Sequence, residues 1–78
     1  MNDERQLSFG ERAVGLTFNP SNLGVVDTLK RSIAEFIDHC NNEKEMSTIA
    51  EVKRMYSVAI TEAQTAQMWA VKAATWGV

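Results

Sequence analysis

Few residues of this chain could carry out catalysis, and their spacing does not bring them together. The one histidine, His39, stands between Asp38 and Cys40, but neighbouring residues on a helix point about 100° apart. A nucleophile and its base must lie within hydrogen-bonding reach of each other, so this cluster does not predict a catalytic group. Glu62 has no second carboxylate three or four residues away, and no cysteine or histidine spacing matches a metal site. We therefore expect no enzyme, no metal and no cofactor.

Binding chemistry is better represented in the first third of the chain. Phe18 precedes an Asn19-Pro20 pair, and its ring is either a hydrophobic plug or a platform on which a base stacks. Three glycines, Gly10, Gly15 and Gly24, fit neither the dinucleotide fingerprint nor the P-loop. They are either flexible turns or places where backbone amides approach an anionic ligand. The basic residues that would help there are Arg12, Lys30 and Arg31. Lys30 and Arg31 are alternatively a solvated face of the helix, because charged residues on a helix usually face water.

A second group lies near the C-terminus, where Lys72 stands between Trp69 and Trp76 in a nearly uncharged stretch. A cation in such surroundings needs an anion, a carboxylate such as Glu62, or solvent. The two tryptophans are one heptad apart, so we interpret them first as core or interface residues.

Two long helices must position these residues. After Pro20, apolar residues recur at three- and four-residue spacing and predict an amphipathic helix over residues 21–41, with Ser21 or Asn22 as its N-cap. Cys40 is in phase with the apolar stripe, which predicts a small buried side chain. The three- and four-residue spacing of apolar residues is absent from residues 42–47, which predicts a loop there.

The second helix is predicted over residues 48–76. Thr48 and Glu51 match a capping box, with Ser47 as a rival cap, and Gly77 ends the helix. A short polar loop between two helices makes them antiparallel. The predicted fold class is therefore all-α, an antiparallel two-helix hairpin with an N-terminal arm or short helix, in a single domain over residues 1–78.

The N-terminal part divides into two segments. Residues 1–8 are polar and have no predicted contact with a core, so disorder or a frayed helical turn is expected. Residues 9–20 are rich in turn formers and predict an ordered arm with one helical turn at residues 11–14. Val14, Leu16 and Phe18 alternate along the arm, which predicts an extended segment against an apolar surface.

The size of the chain and the composition of its second helix predict a homo-oligomer. A domain of 78 residues supports only a small core, and its single cysteine cannot form an intrachain disulfide. Alanines recur in steps of four and three from Ala59 to Ala73, and apolar residues lie on several sides of that helix. Such a helix needs more neighbours than one short chain supplies.

The charge balance excludes several classes of partner. A net charge of −2 and a pI of about 5.2 argue against DNA or RNA binding. The apolar runs are far shorter than the roughly 20 residues that span a bilayer, and the N-terminus lacks a signal-peptide core. We expect no membrane association and a cytoplasmic location.

Two segments resemble a known family. GERAVGLTFNPS at residues 10–21 and AITEAQTAQMWAVKAATW at residues 59–76, joined by VVDTLKRSIAEFID, are similar to small phage proteins that defeat bacterial CBASS immunity. Those proteins sequester cyclic oligonucleotide messengers. The resemblance implies an all-helical homohexamer without enzymatic turnover, working in the cytoplasm of the infected bacterial host. Its ligands would be cyclic dinucleotides such as 3',3'-cGAMP, bound between subunits, and cyclic trinucleotides in a separate pocket.

The resemblance also implies roles for individual residues. In the dinucleotide pocket Phe18 would stack a base, Pro20 would fix the arm as a lid, and Lys30 would contact a phosphate. Arg12 is a weaker candidate for the same anion, and Asn19 belongs to the same segment. For the trinucleotide pocket the resemblance gives Lys72 and Thr75.

A different class of function stays open at this point. The chain could be a structural or regulatory helical oligomer that binds a host or phage protein through its N-terminal arm. Substitutions of Phe18 or Lys30 distinguish the two hypotheses, because they should abolish small-molecule binding in one and partner capture in the other.

Overall fold

The computed structural model describes residues 6–19 and 23–77, and in these ranges the chain is helical with turns and has no strand. A short helix α1 covers Phe9–Ala13, and two long helices follow, α2 over Gly24–Met46 and α3 over Ala50–Ala74. The long helices pack against each other along their length, and α1 packs on α2. The all-α class is confirmed, and the arrangement is that of a helical hairpin.

The core lies where α1 and the following turn meet the hairpin. Ile37 on α2 is fully buried. Cys40 is buried in the same cluster, as its position in the apolar stripe of the helix predicted. Ile60 and Ala63 supply the α3 side, while Val14 and Leu16 cover the hairpin from the arm. One small cluster thus joins all three parts of the described chain.

The loop predicted at residues 42–47 is wrong, because α2 continues to Met46. Asn41 and Asn42 cost less than about 0.7 kcal/mol each relative to alanine in a helix, and good helix formers follow them. The end of α2 is also capped from α3: the Lys53 ammonium donates a hydrogen bond to the Lys44 carbonyl at 3.2 Å. The connection between the helices is therefore only residues 47–49.

The capping box predicted at Thr48 and Glu51 does not form. The N-cap of α3 is Ile49, without a side-chain cap, and the Ser47 hydroxyl accepts from the Ile49 amide at 3.1 Å. Glu51 instead accepts two hydrogen bonds from the Arg54 guanidinium, at 3.0 and 2.6 Å. This pair occupies the carboxylate that a capping box requires, and its hydrogen bonds lower the pKa of Glu51.

The other helix ends are also shifted from their predicted positions. The N-cap of α2 is Leu23, two residues after the earlier of the two predicted caps, which lie outside the described residues. The Asn19 side chain closes the connection, accepting from the Leu23 amide at 3.3 Å and donating to its carbonyl at 3.0 Å. At the other end α3 stops at Ala74, and Gly77 at φ +82° lies just beyond it. Trp76, predicted as helical, therefore lies in the terminal turn.

The arm is ordered from Ser8, within the segment predicted to fray; residues 1–5 lie outside the described ranges. Ser8 caps α1 in a capping box, because its hydroxyl accepts from the Glu11 amide and the Glu11 carboxylate accepts from the Ser8 amide. Val14 and Leu16 are buried as expected, but residues 14–17 form turns rather than an extended segment. Phe18 is 72% exposed, so the plug interpretation is wrong for the single chain.

Hydrogen bonds fasten α1 and its N-cap Ser8 to both long helices. The Asp38 carboxylate on α2 accepts from the Gly10 amide and from the Ser8 hydroxyl, each at 2.7 Å. The Gln64 amide on α3 donates to the Ala13 carbonyl at 3.0 Å. A β-carbon at Gly10 would lie 2.1 Å from the Ala34 carbonyl oxygen, so glycine permits this close approach.

The side of α3 that faces away from α2 is apolar and uncovered in the single chain. Met55, Val58, Trp69 and Trp76 are between 45% and 79% exposed. Met55, Val58 and Trp69 lie within about 60° of one another around the helix axis, and Trp76 follows one heptad after Trp69 in the terminal turn. We call these four residues the outer face of α3. No helix in the described ranges has the length and apolar character needed to cross a membrane.

Candidate ligand-binding site

A tight turn presents Phe18 to solvent. The Phe18 amide donates to the Gly15 carbonyl at 2.9 Å, which closes the turn over residues 15–18. Gly15 adopts φ +64°, a left-handed conformation that glycine takes without steric cost. Leu16 inside the turn is buried, whereas Phe18 at its end projects outward. The turn is thus anchored by one side chain and exposes another.

Lys30 lies beneath this turn. Its side chain is on the buried side of α2, and only 4% of the residue is exposed. The ammonium donates hydrogen bonds to the Gly15 carbonyl at 2.9 Å and to the Phe18 carbonyl. Nζ also lies 5.4 Å from the centre of the Phe18 ring, within range of a cation–π interaction. The prediction that Lys30 could be a solvated side chain is therefore wrong.

The positive charge of Lys30 has no carboxylate partner within the described part of the chain. Its hydrogen bonds go to two neutral carbonyls, although a buried charge is strongly favoured by an opposite charge. The Lys30 charge therefore lies next to an exposed aromatic ring and is compensated only by these two carbonyls among the described residues. An anion with a flat aromatic group would match both features.

An open groove of about 540 Å³ runs beside the turn, between the arm and the start of α2. Arg31 in this groove binds Asp27 at 2.8 Å, and that hydrogen bond raises the pKa of the Arg31 guanidinium. The pair is more than 40% exposed on each side, so solvent screens it. The groove is lined by Leu16, Thr17, Asn19, Leu23, Gly24, Asp27 and Arg31.

The structure thus brings Phe18 and Lys30 together, with Asn19 next in the chain, whereas Arg12 makes its hydrogen bond elsewhere. The Arg12 guanidinium donates to the Leu7 carbonyl at 2.7 Å, on the exposed surface before α1. The Asn19 side chain makes two hydrogen bonds to the backbone of Leu23, the N-cap of α2. Pro20 lies outside the described residues.

The second predicted group lies at the C-terminal end of α3. The Lys72 ammonium lies 5.7 Å from the centre of the Trp69 ring, and an open apolar groove is lined by Trp69, Lys72, Ala73 and Trp76. The Thr75 hydroxyl donates to the Val71 carbonyl at 2.8 Å and so helps to terminate the helix. Lys72 therefore lies over an aromatic ring, whereas the Thr75 hydroxyl proton is used within its own helix.

The sequence prediction missed the residues that attach the arm. The Ser8–Glu11 spacing is a capping-box signal that could have placed the start of α1. Asp38 and Gln64 gave no comparable signal, because a polar residue on a helix usually faces water. No group of three or more His, Cys, Asp or Glu residues within 6–19 and 23–77 could hold a metal ion.

Comparison with known proteins identifies the family of the chain. The family model described as Acb2/Tad1, hairpin domain, matches residues 11–75. The chain belongs to this family. The match begins within α1 and ends at the C-cap of α3, so it includes the turn, Lys30 and the whole hairpin. No curated protein and no solved structure matches the chain significantly.

Membership confirms the resemblance noted in the sequence. The Acb2/Tad1 proteins are the anti-CBASS sponges, which sequester cyclic oligonucleotides. They are binding proteins rather than catalysts, so the family's activity requires recognition of phosphates and bases and no reacting side chain. The turn and Lys30 provide groups of that kind.

Proposed function

We propose that this protein sequesters cyclic oligonucleotide messengers without degrading them and so prevents activation of the CBASS effector in the bacterial cytoplasm. Its ligands are cyclic dinucleotides such as 3',3'-cGAMP, with cyclic trinucleotides as a second class. Membership in the Acb2/Tad1 family supports the general activity.

The observation that carries this proposal is the exposed Phe18 ring above the buried Lys30 ammonium. A cyclic dinucleotide has flat bases and two negatively charged phosphates. Stacking a base on an aromatic ring contributes about 1–3 kcal/mol. Lys30 on α2 supplies the positive charge beneath the same turn, and Asn19 binds the Leu23 backbone just after it. We assign base stacking to Phe18, phosphate recognition to Lys30, a lid role to Pro20 and a weaker anion contact to Arg12.

The symmetry of such a ligand favours a site built between subunits. An isologous dimer supplies two copies of one aromatic ring and one lysine from a single sequence. The outer face of α3 supports assembly, because it exposes two tryptophans, a methionine and a valine. We propose a homo-oligomer of six subunits, as the family resemblance implies.

A second pocket is proposed for cyclic trinucleotides. Lys72 supplies its positive charge, and the adjoining Trp69 ring adds an aromatic surface. Thr75 belongs to the same end of α3, although its hydroxyl proton is already donated to Val71. Toward a ligand, the Thr75 hydroxyl oxygen can therefore only accept a hydrogen bond.

Calorimetric titration of the parent chain with cyclic dinucleotides and trinucleotides tests the function. Phe18→Ala should weaken dinucleotide binding by about five- to 150-fold, since one stacking contact is lost. Phe9→Ala is the matched control, because Phe9 is also an exposed phenylalanine of the arm. The Phe9 variant should bind like the parent.

Recovery of the ligand completes the test. After denaturation of the complex, the dinucleotide should be released chemically intact, as mass spectrometry can verify. A hydrolysed ligand would contradict sequestration. A well-folded oligomer that binds no cyclic oligonucleotide would favour the other function class, capture of a host or phage protein through the arm.

A further inference from the structure

Lys30 cannot contact a ligand phosphate in the conformation described above. Only 4% of the residue is exposed, and two of the three ammonium donors are bound to the Gly15 and Phe18 carbonyls. A phosphate oxygen needs both access to Nζ and a donor directed at it. The turn blocks that access while its two carbonyls remain bound.

We infer that the Lys30 ammonium exchanges hydrogen-bond partners when a ligand binds. It holds the turn at residues 15–18 in the free chain, and it releases one or both carbonyls when a phosphate binds. The inference rests on the proposed function. It adds that the turn opens from α2 as part of binding, so Lys30 positions Phe18 before the ligand arrives and contacts the phosphate afterwards.

The energetics favour such an exchange. A phosphate oxygen carries negative charge, whereas the Gly15 and Phe18 carbonyls are neutral dipoles, so the ammonium gains an ion pair that the carbonyls do not supply. Each released carbonyl lies on a surface turn, where water can replace the ammonium, whereas the buried charge gains a counter-ion. Part of the ligand's binding free energy is used to break the hydrogen bonds between the Lys30 ammonium and the carbonyls of the turn.

The attachments around the turn allow it to open without detaching the arm. On its N-terminal side the Ala13 carbonyl is held by Gln64 of α3. On its C-terminal side Asn19 is bound to the Leu23 backbone. Neither attachment involves Lys30. Val14 and Leu16 stay packed in the core, so the part that can move while both ends stay fixed is residues 17–18, which carry the Phe18 carbonyl.

Nuclear magnetic resonance of the isotope-labelled parent chain tests the exchange, with 3',3'-cGAMP as the probe. On binding, a nitrogen–phosphorus coupling should appear at the Lys30 ammonium, and the Gly15 or Phe18 carbonyl resonance should move upfield as it loses a donor. In the free Lys30→Met variant the same carbonyl resonances should already be shifted upfield. Lys53→Met is the matched control, because Lys53 also donates to a backbone carbonyl, at the far end of the hairpin. That variant should leave the turn and the affinity unchanged.

The outcomes separate this inference from the function itself. Binding without a coupling at Lys30, and with unchanged carbonyl resonances, would overturn the exchange and leave sequestration intact. Absence of any binding by the parent chain would overturn the proposed function and the exchange with it. The decisive comparison uses the parent chain, free and bound, so it does not depend on the folding of the methionine variant.

Discussion

At the scale of single residues, the absence of a side chain at Gly10 allows the backbone of the arm to pack closely against α2. Its backbone lies so close to α2 that a β-carbon would meet the Ala34 carbonyl oxygen at 2.1 Å and an Asp38 carboxylate oxygen at 2.9 Å. The Ala34 contact is with backbone, which cannot rotate away. The sequence suggested a flexible turn or a ligand-binding amide at this position. The Gly10 amide instead binds Asp38 within the chain.

Gly10→Ala should destabilise the protein by about 1–3 kcal/mol, the usual cost of forcing an extra group into a packed contact. Denaturant unfolding measures the loss. Gly24→Ala is the control, because nothing lies within 4 Å of the corresponding β-carbon. That change in the first turn of α2 should be neutral or slightly stabilising. Equal losses in the two variants would contradict the close-contact explanation.

Lys30 illustrates what the sequence could and could not predict about the site. It lies four residues after Val26 and four before Ala34, both buried, so its position in the helical repeat indicated the core side of α2. That periodicity could have predicted burial. It could not predict that carbonyls of the arm would receive the ammonium, because the path of the arm depends on contacts between residues distant in sequence.

At the scale of the elements, α1 is too short to be stable alone and depends on what binds it. A helix of five residues is far below the roughly 12–15 at which isolated helices become marginally stable. The Asp38 carboxylate binds the first turn through Gly10 and Ser8. This contact connects α2 to the start of the arm.

Asp38→Asn should release α1, because an amide offers only one acceptor oxygen where the carboxylate offers two. Hydrogen bonds to charged groups contribute about 1.5–3 kcal/mol, so local opening of α1 should become easier by a similar amount. Amide hydrogen exchange at Arg12 and Val14 measures this opening, since both amides are bonded within α1. Asp27→Asn, which alters an exposed ion pair elsewhere on α2, should leave those rates unchanged. Unchanged rates in the Asp38 variant would show that α1 is held by packing alone.

Two capping-box patterns in the chain had different outcomes. Ser8 and Glu11 form the box, whereas Thr48 and Glu51 do not. The difference lies in the competitor: Arg54 stands three residues after Glu51 and binds both of its carboxylate oxygens. The sequence predicted both long helices, but it could not rank rival partners for one carboxylate.

At the scale of the whole molecule, the single chain leaves much apolar surface exposed. Trp69 and Trp76 are 66% and 79% exposed on the outer face of α3. This face was predicted from sequence, because apolar residues lay on several sides of the helix. What covers the face could not be predicted, since the partner's geometry is not encoded in helical periodicity.

Trp69→Glu should prevent assembly into the proposed oligomer, because interface cores exclude charged residues. Size-exclusion chromatography with light scattering measures the mass of the particle. His39→Glu is the control, since it adds a carboxylate at an exposed position of α2. The control should keep the parent's mass. A monomeric parent chain, or a Trp69 variant of unchanged mass, would contradict assembly through the outer face of α3.

The way in which the arm is attached affects how the protein can evolve. Asp38, Gln64 and Lys30 all hold the arm through backbone amides or carbonyls. Backbone atoms persist whatever side chain a position carries, so mutations at exposed arm positions such as Phe18 leave these attachments in place. Under the proposed function, selection can therefore change the surface that would meet the messenger while the hairpin stays the same. This separation would allow new ligand preferences to arise by single substitutions in the arm.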